Sequence, residues 1–420
     1  MSSAFSIALS SLQANSDAIN TTGNNLANLN TTGFKSSNIE FKTLVSEQLG
    51  GGGASGQYGL GVSTPINQQI FSQGTIQSST SPLAAAIQGN GFFVVSGANN
   101  QQLYTRDGNF TLNSSGVLQT LTGENVQGWT ATQTGINTTV TPGNMVIPTG
   151  TVLAPQATKN FSLNANLDSN AVAGTPSGSF STGMQVVDSL GSAHQLTVTF
   201  TKSATAPNQW TYQVSIPNQD VGGAPGTQKN LLATPGTINF NTDGTMSTAA
   251  GTAPVALAVS GLADGAAPLA MNWNLFNSGA GTITQFGQAS APATSSQDGS
   301  TGAQFTGVSI QSGGQVVAKF SNGQQKAVGQ LAMAAIQNPE TLENVGNNNF
   351  SVGAGTSNPT LGVPQTGGRG QIVGSSLEGS NVDMATNFTN LIVYQRGYQA
   401  SSKVITTADQ MGQALLQLIR

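Results

Sequence analysis

The chain has one histidine, His194, and no cysteine, so few of its side chains could carry acid–base or nucleophilic chemistry. His194 closely follows Asp188 and Ser189, which places an acid, a hydroxyl and an imidazole within seven residues. Serine hydrolases use these three groups, but tertiary folding brings them together from separate elements of the chain. This run contains Gly191 and lies between two segments of alternating polarity. We therefore interpret it as a turn whose polar side chains bind local backbone groups.

Motifs for phosphate, nucleotide or calcium binding are incomplete. A phosphate-binding loop needs Gly-Lys-Ser/Thr, and no lysine here follows a glycine. The glycines between positions 50 and 61 are not bracketed by the strand and helix of a dinucleotide site. The run 239–244 has one carboxylate, Asp243, which favours a hairpin turn over a calcium loop. Glu340 and Glu343 are explained by charge complementarity at a helix N terminus. We predict no catalytic residue, cofactor or metal, and hence a protein that is not an enzyme.

The composition of the chain limits its partners. Only 7% of the 420 residues are charged and the formal net charge is −4. Nucleic acids and anionic membranes attract clustered Lys and Arg, which this sequence lacks. No run approaches the ~18 apolar residues of a membrane span, and the start has no basic signal-peptide region. Long uncharged stretches, such as 48–105, suit a subunit that packs against copies of itself.

Both ends of the chain have a helical hydrophobic pattern with a seven-residue period, which is typical of a coiled-coil seam. Periodicity alone leaves open whether the two helices pair within one chain or pack on neighbouring copies, and we expect both to be frayed in a free monomer. Ser380 or Asn381 is the predicted cap of the second helix, with Asp383 in its first turn. The predicted self-assembly residues are Phe5, Leu9, Leu12, Ile19 and Leu26 near the start and Met384, Phe388, Leu391, Tyr398 and Ile405 near the end.

The middle of the chain alternates apolar and polar residues, which predicts half-buried antiparallel strands at 196–200 and 210–216. A third strand containing Ile238 and Phe240 runs into the Asp243-Gly244 turn. Short strands separated by Gly, Pro and Asn favour a β-sandwich or barrel. One helix is predicted where Asn338-Pro339-Glu340 supplies a cap, a proline and an acid.

The predicted fold is thus mainly β, with terminal α-helices paired as a coiled coil around nested β-domains. An inner domain carries an inserted outer barrel or sandwich. The predicted boundaries are 1–30 and 373–420 for the terminal helical domain, 31–72 for a flexible connector, 73–155 and 303–372 for the inner domain, and 156–302 for the outer domain.

Five short motifs resemble bacterial flagellar rod and hook proteins. An Asn-rich helix end runs into a Gly-Phe-Lys turn, and a Leu-Glu-Gly-Ser-Asn-Val-Asp segment precedes the last helix. The motifs lie at 24–35, 89–93, 104–110, 377–383 and 394–400. The middle of the chain is similar to hook proteins in particular, at 187–191 with His194, 320–323 and 329–331.

The resemblance implies a structural subunit that self-assembles into a helical tube, the flexible universal joint between flagellar rod and filament. It implies type III export of the unfolded chain without a cleaved signal, and an extracellular location in the hook. The helices would line the inner tube, with the inner and outer β-domains as successive shells. The implied partners are further copies of the chain, the distal-rod protein, the hook cap, the hook-filament junction protein and the export apparatus.

Two alternatives stay open at this point. The chain could be a secreted, monomeric β-rich adhesin or carbohydrate-binding module whose end helices pair internally. Within the same family it could be a distal-rod protein, although the large inserted domain argues against this.

Overall fold

The computed structural model describes residues 2–44, 47–49, 56–132, 135–248 and 252–418. It divides into two compact units. The first comprises Met1–Thr149, Gly307–Lys319 and Gln325–Arg420, and the second comprises Gly150–Thr306 and Phe320–Gln324. The second unit is therefore an insertion within the first along the chain.

The elements follow one another as a helix, many short strands and a final helix. The first stretch contains α1 (Ser2–Ala27), β1 (Ser37–Glu40), β2 (Glu47–Leu49), β3 (Gly56–Tyr58), β4 (Ile66–Gln69), β5 (Ile76–Ser78), β6 (Ala85–Gln88), β7 (Phe92–Ser96), β8 (Gln102–Thr105), β9 (Phe110–Leu112), β10 (Leu118–Thr120), β11 (Asn125–Thr132), β12 (Gly135–Ile136) and β13 (Gly143–Asn144). The second contains β14 (Val152–Leu153), β15 (Asn160–Asp168), β16 (Ser179–Val187), β17 (Ala193–Lys202), β18 (Gln209–Pro217), β19 (Gln228–Asn230), β20 (Gly236–Asn239), β21 (Val255–Val259), β22 (Leu269–Trp273), β23 (Phe276–Asn277), β24 (Ala280–Gly281), β25 (Ile283–Phe286) and β26 (Ala291–Gln297). The last contains β27 (Ala303–Ile310), β28 (Gln315–Phe320), β29 (Gln325–Leu331), β30 (Met333–Ala335), β31 (Glu343–Gly346), β32 (Asn349–Ser351), β33 (Thr360–Gly362), β34 (Gln371–Gly374), β35 (Ser376–Glu378) and α2 (Met384–Leu418).

The β part of the first unit is organised around β7, whose five residues are all buried. This continuous apolar run pairs with β8, β11 and β30, as expected of a strand covered on both faces. Phe92 of this strand packs edge to face with Phe71 and Phe350, which also contact each other, and the ring centroids are 5.2–6.2 Å apart. Two further ladders, β5 with β35 and β6 with β34, join the segment before this core to the segment after it.

The second unit is a sandwich of two five-stranded sheets. One sheet runs β21-β22-β15-β25 with β26 also on β15, and the other runs β16-β17-β18-β19 with β20 also on β18. Trp273 of the first sheet meets Tyr212 of the second edge to face at 5.1 Å, inside one shared hydrophobic core. The strands predicted at 196–200 and 210–216 are confirmed as parts of β17 and β18. The sandwich alternative is correct, and the described residues form no closed barrel.

Two local predictions around the helices are wrong. Asn338-Pro339-Glu340 begins only a single 3-10 turn, Pro339–Thr341, because the Asn338 side chain binds Ser357 and Gly355 instead of capping a helix. The cap of α2 is Asp383, whose carboxylate accepts the N–H of Thr386 at 2.8 Å, since α2 begins at Met384.

The segment predicted as a connector, 31–72, contains β1 to β4. β1 pairs with β4 and β2 pairs with β3, both antiparallel. Positions 45, 46 and 50–55, which include the glycine run from 50 to 53, lie outside the described residues.

Candidate functional site

The two terminal helices pack against each other in an antiparallel arrangement. Ser11 and Ser401 share a hydrogen bond of 2.9 Å, and Asn25 Nδ2 donates to Asn387 Oδ1 at 3.2 Å. A Cβ added at Gly397 would lie 2.6 Å from Asn15 Oδ1, so the Asn15 side chain packs directly on the backbone of Gly397. The residue numbers of each facing pair add to the same value, 412, as an antiparallel register requires. The predicted pairing of the end helices within one chain is confirmed.

Small and polar side chains form the seam between the helices. Ala14 and Ala18 are 1% and 0% exposed, and Thr22, Asn25 and Ser401 are also buried. Small residues let two helix axes come close, and the buried hydroxyl and amide groups find partners across the seam or on the helix backbone.

The predicted self-assembly residues lie mostly outside this seam. Phe5 is 46% and Phe388 50% exposed, and Leu9, Met384 and Tyr398 are exposed as well. Leu12, Ile19, Leu26, Leu391 and Ile405 are partly exposed. The structure therefore distributes the ten residues over the outer faces of the helix pair and leaves none of them fully buried.

Four exposed apolar residues of α2 were missed by the seven-residue pattern: Ile392, Val393, Val404 and Met411. Val393, Val404 and Met411 are spaced by 11 and 7 residues, which returns to nearly the same face of a helix with 3.6 residues per turn. Val404 and Met411 line an apolar groove with a volume of about 480 Å³. Val404 and Met411 are themselves seven residues apart, so the predicted series followed a neighbouring register of the same helix and missed this second exposed stripe.

The helices are joined to the β core by a buried cluster of charged residues, which we call the junction. The carboxylate of Glu378, fully buried, accepts hydrogen bonds from Lys35 Nζ at 2.7 Å and Arg106 Nη1 at 3.1 Å. Gly74 N donates to Glu378 Oε1 at 2.9 Å. Two more donors bind backbone carbonyls: Lys35 Nζ donates to Ser72 O at 2.8 Å, and Arg106 Nη2 donates to Gly89 O at 2.9 Å. Arg106 Nε is buried and has no hydrogen-bond partner among the described residues.

Burial dominates the electrostatics of the junction. It lowers the pKa of Lys35, and the adjacent Glu378 carboxylate opposes that shift by favouring the ammonium. Burial also lowers the pKa of Arg106, and the Glu378 carboxylate opposes that shift by favouring the charged guanidinium. The Arg106 guanidinium also lies 5.3 Å from the centroid of the Phe92 ring, in cation–π geometry. One carboxylate thus compensates two buried cations.

Close backbone contacts explain two glycines of the motifs. Gly33 has φ +69°, and a Cβ there would lie 2.5 Å from Asp107 N. At Gly108 an added Cβ would lie 1.6 Å from Ala85 O, which no side chain tolerates. These two glycines let the turn after α1 and the 104–110 segment pack directly on their neighbours.

Two asparagines complete the attachment of the helices. Asn25 of α1 exchanges two hydrogen bonds with the backbone of Ser37, at 2.8 and 2.9 Å. Asn381, just before α2, accepts the N–H of Ser36 at 2.7 Å and donates to Ile70 O at 2.7 Å. Four motifs that lie far apart in sequence, 24–35, 89–93, 104–110 and 377–383, therefore meet at the junction and fix both helices to the β core.

The other sequence candidates form turns. Asp188 Oδ1 accepts the N–H groups of Leu190 and Ser192 between β16 and β17, which confirms the predicted turn. Ser189 Oγ accepts the N–H of Ala267 at 3.0 Å, and both ring nitrogens of His194 face carboxylates instead of Ser189. Asp243 accepts the N–H of Thr245 in the predicted hairpin turn after β20. Glu340 lies within the 3-10 turn and Glu343 begins β31, so the prediction that both complement the N terminus of a helix is wrong.

Along the described ranges, the structure holds no helix that is long and apolar enough to cross a membrane.

Paired terminal helices on a nested β core, joined by this junction, define an axial protein of the flagellar rod and hook class. Comparison with protein families agrees along the chain. Residues 5–35 match the Flagella basal body rod protein family, and residues 86–173 match the Flagellar hook protein FlgE/F/G D1 domain. Residues 162–300 match the Flagellar basal body protein FlaE D2 domain, and residues 373–418 match the Flagellar basal body rod FlgEFG protein C-terminal family.

Relatives that match over nearly the whole chain identify the family within this class. The flagellar hook protein FlgE of Treponema pallidum is 30% identical over 459 residues, with 98% of each chain covered. FlgE of Rhizobium meliloti is 32% identical over 420 residues, again with 98% of each chain covered. The crystal structure of Helicobacter pylori flagellar hook protein FlgE2 aligns with a TM-score of 0.49 and 16% identity over 71% of this chain and 99% of that chain. The chain belongs to the flagellar hook protein FlgE family.

Membership of this family makes the chain a structural subunit of the flagellar hook. The relatives do not favour an adhesin, a carbohydrate-binding module or a distal-rod protein.

Proposed function

We propose that copies of this chain pack on one another through the exposed apolar faces of α1 and α2, and that this packing builds the wall of the hook tube. The observation that supports this proposal is that the helix pair buries small side chains and exposes large apolar ones. Small residues fill the seam within one chain, while Phe5, Leu9, Met384 and Phe388 stay exposed. An exposed apolar stripe of this kind gains free energy when a neighbouring helix covers it.

The junction prepares the helices for this packing. Its buried ion pairs and the hydrogen bonds of Asn25 and Asn381 hold both helices on the β core of the first unit. A surface that is already ordered loses less conformational entropy on association than one that must fold on binding. In our proposal, the junction is thus a positioning device, and the stripes provide the contact energy.

A universal joint also requires contacts that can change while the hook bends. The exposed helix faces carry Ser, Thr, Asn and Gln between the apolar residues, and few charges. Hydrogen bonds between such neutral groups, directly or through water, exchange partners without separating ion pairs. We infer that neighbouring subunits slide along these faces as the hook rotates.

The proposal extends to location and partners. The first unit would supply the helical wall and an inner β shell, and the second unit an outer shell. The distal-rod protein, the hook cap, the hook-filament junction protein and the export apparatus are the partners that we infer beyond further copies. The absence of cysteine suits a chain that crosses the export channel unfolded, because no disulfide can form early. The proposed role requires no catalytic group.

The test is assembly of purified full-length protein, followed by sedimentation and electron microscopy. Phe388→Glu places a charge on the exposed stripe of α2, and we expect it to prevent or strongly weaken tube formation while the monomer stays folded. Burying an unpaired carboxylate in an apolar contact is costly, so the critical concentration for assembly should rise at least tenfold.

Leu121→Glu is the matched control, because Leu121 is also an exposed apolar residue of the first unit but lies in a turn of the β part. It should assemble like the parent protein. Tubes of normal length and critical concentration from Phe388→Glu would overturn the proposed role of the stripe.

A further inference from the structure

His194 is surrounded by three carboxylates from three separate segments of the second unit. Asp188 directly follows β16, Asp220 lies in the 3-10 turn after β18, and Asp264 lies between β21 and β22. His194 Nε2 is 3.0 Å from Asp188 Oδ2 and 3.9 Å from Asp264 Oδ2, and Nδ1 is 3.1 Å from Asp220 Oδ2.

A neutral imidazole alone cannot satisfy both carboxylates that flank it. A neutral histidine has one N–H, so it can donate to only one of two flanking carboxylates, and the lone pair of its other nitrogen then faces the second. Both ring nitrogens of His194 lie at hydrogen-bond distance from a carboxylate oxygen. Either a second proton or a metal ion must therefore occupy the space between Nε2 and the oxygens of Asp188 and Asp264.

The donor atoms are oriented as ligands rather than as surface groups. Asp188 Oδ1 is held by the N–H groups of Leu190 and Ser192, and Asp264 Oδ1 by the N–H of Ala266. In both residues the other oxygen, Oδ2, is the one that lies nearest His194 Nε2. The ligand atoms of Asp188, His194 and Asp264 all lie within 4.8 Å of one another.

Asp220 has the position of a supporting carboxylate. Metal-binding histidines commonly donate the N–H of the second ring nitrogen to a carboxylate, which sets the tautomer and leaves the first nitrogen free for the metal. Asp220 Oδ2 at 3.1 Å from Nδ1 meets this requirement. Asp188 is fully buried, whereas the side chain of Asp264 is 29% exposed, so solvent can reach the site from the Asp264 side.

We propose that Asp188, His194 and Asp264 bind a divalent transition-metal ion of the zinc type, with Asp220 positioning the imidazole. One nitrogen and two carboxylate oxygens are ligands that Zn²⁺ accepts, and water completes the coordination. The ion would tie the β16–β17 turn to the loop between β21 and β22, and so stabilise this end of the sandwich in the assembled hook. This extends the interpretation of 188–194, which the sequence indicated only as a turn.

The experiment uses the full-length protein, freed of metal with a chelator and titrated with ZnCl2 at alkaline pH, where protons compete least for Nε2. Calorimetry should give one Zn²⁺ per chain, and the melting temperature should rise with Zn²⁺ but not with the same concentration of MgCl2. CoCl2 in place of zinc should produce visible absorption bands from a nitrogen- and oxygen-ligated ion.

The variants separate ligands from neighbours. Asp264→Asn removes an exposed ligand and should weaken Zn²⁺ binding at least tenfold without unfolding the protein. Asp220→Asn removes the supporting carboxylate and should weaken it about 10–100-fold. Asp243→Asn, an exposed aspartate in another turn of the same unit, should bind like the parent. No Zn²⁺ uptake, or uptake unchanged in Asp264→Asn, would overturn the proposal and leave His194 as a protonated clamp.

Discussion

The helix pair of the first unit exposes large apolar side chains, whereas the sandwich of the second unit buries them. In the sandwich, Trp210 and Trp273 are fully buried, and Trp273 contacts aromatic rings from both sheets. In the helix pair, alanines fill the interior and Phe5 and Phe388 lie outside. The sandwich satisfies its own hydrophobic surface, whereas the helix pair keeps much of its apolar surface available for a neighbouring copy.

The largest expected effect tests this difference directly. Trp273→Ala should destabilise the second unit by about 3–5 kcal/mol, because it empties a packed core. Phe388→Ala should change the free energy of unfolding by less than about 0.5 kcal/mol, as is usual at exposed positions. Urea denaturation of the non-assembled protein measures both values. Equal losses of unfolding free energy in the two variants would mean that Phe388 stabilises the monomer, and this would contradict the difference between the helix pair and the sandwich.

Loss of the carboxylate at the junction should have the next largest effect. Glu378→Gln leaves Lys35 and Arg106 buried without a counter-charge. We expect the free energy of unfolding to fall by about 3 kcal/mol, which is at the lower end for breaking a buried ion pair, because glutamine keeps one polar oxygen. Glu343→Gln, an exposed glutamate of the same unit, is the control and should be neutral.

The fluorescence of the tryptophans can localise this effect. Trp129 lies in the first unit, and Trp210 and Trp273 lie in the second. In a Trp129→Phe background, in which the fluorescence reports the second unit alone, Glu378→Gln should leave the transition in place, whereas in the parent background it should shift the part reported by Trp129. A shift of both transitions would show that the junction stabilises more than its own unit.

The seam between the helices should tolerate no extra volume. Ala18→Leu adds three carbons where Ala18 is fully buried, so overpacking should cost about 1–3 kcal/mol and separate the helices. Asn20→Leu adds an apolar side chain at an exposed position of the same helix and serves as the control. Helix content from circular dichroism during urea unfolding reports the result. An Ala18→Leu protein as stable as the control would show that the seam is loosely packed.

The smallest effect concerns pH, and the two units differ in its sign. Burial raises the pKa of Asp107 in the first unit, partly opposed by the N–H of Asn109. A raised folded pKa means that Asp107 contributes stability below pH 3.8, the ordinary value, and loses it as the pH rises through the folded pKa. Asp107→Asn should remove this dependence from unfolding curves of the first unit.

In the second unit, Asp298 behaves in the opposite way. Burial raises its pKa, but hydrogen bonds from Asn160 and Lys159 outweigh burial and lower it. Asp298 therefore contributes stability above pH 3.8 that is lost as the pH falls through its folded pKa. Asp298→Asn should reduce the acid sensitivity of the second unit, and the same direction of change in both variants would contradict the assignment.

Much of the fold could be predicted because its signals are local. Alternating residues at 196–200 and 210–216 identified strands whose inward faces form the sandwich core, and turn residues such as Asp243 and Gly244 identified a hairpin. The helical patterns at both ends identified α1 and α2. These features depend on neighbours two to seven residues away, so the sequence alone displays them.

Predictions were wrong where a side chain forms hydrogen bonds with residues that lie far away in sequence. Asn381 could cap a helix, but it binds Ser36 and Ile70, and Asp383 takes the capping role. Asn338 likewise binds Ser357, and only a 3-10 turn follows. A propensity for capping does not reveal a competing hydrogen bond from a distant part of the chain.

By itself, the sequence determined the family, the mainly β middle with helical ends, and the turns at 188–194 and 243–244, because these follow from motifs and from the periodicity of the chain. Only the tertiary structure decided which helix face turns inward, that Lys35 and Arg106 share Glu378, and that Asp220 and Asp264 join Asp188 and His194. The physical reason is distance along the chain. Lys35 and Glu378 are 343 residues apart, so their contact exists only after the strands and helices between them have packed.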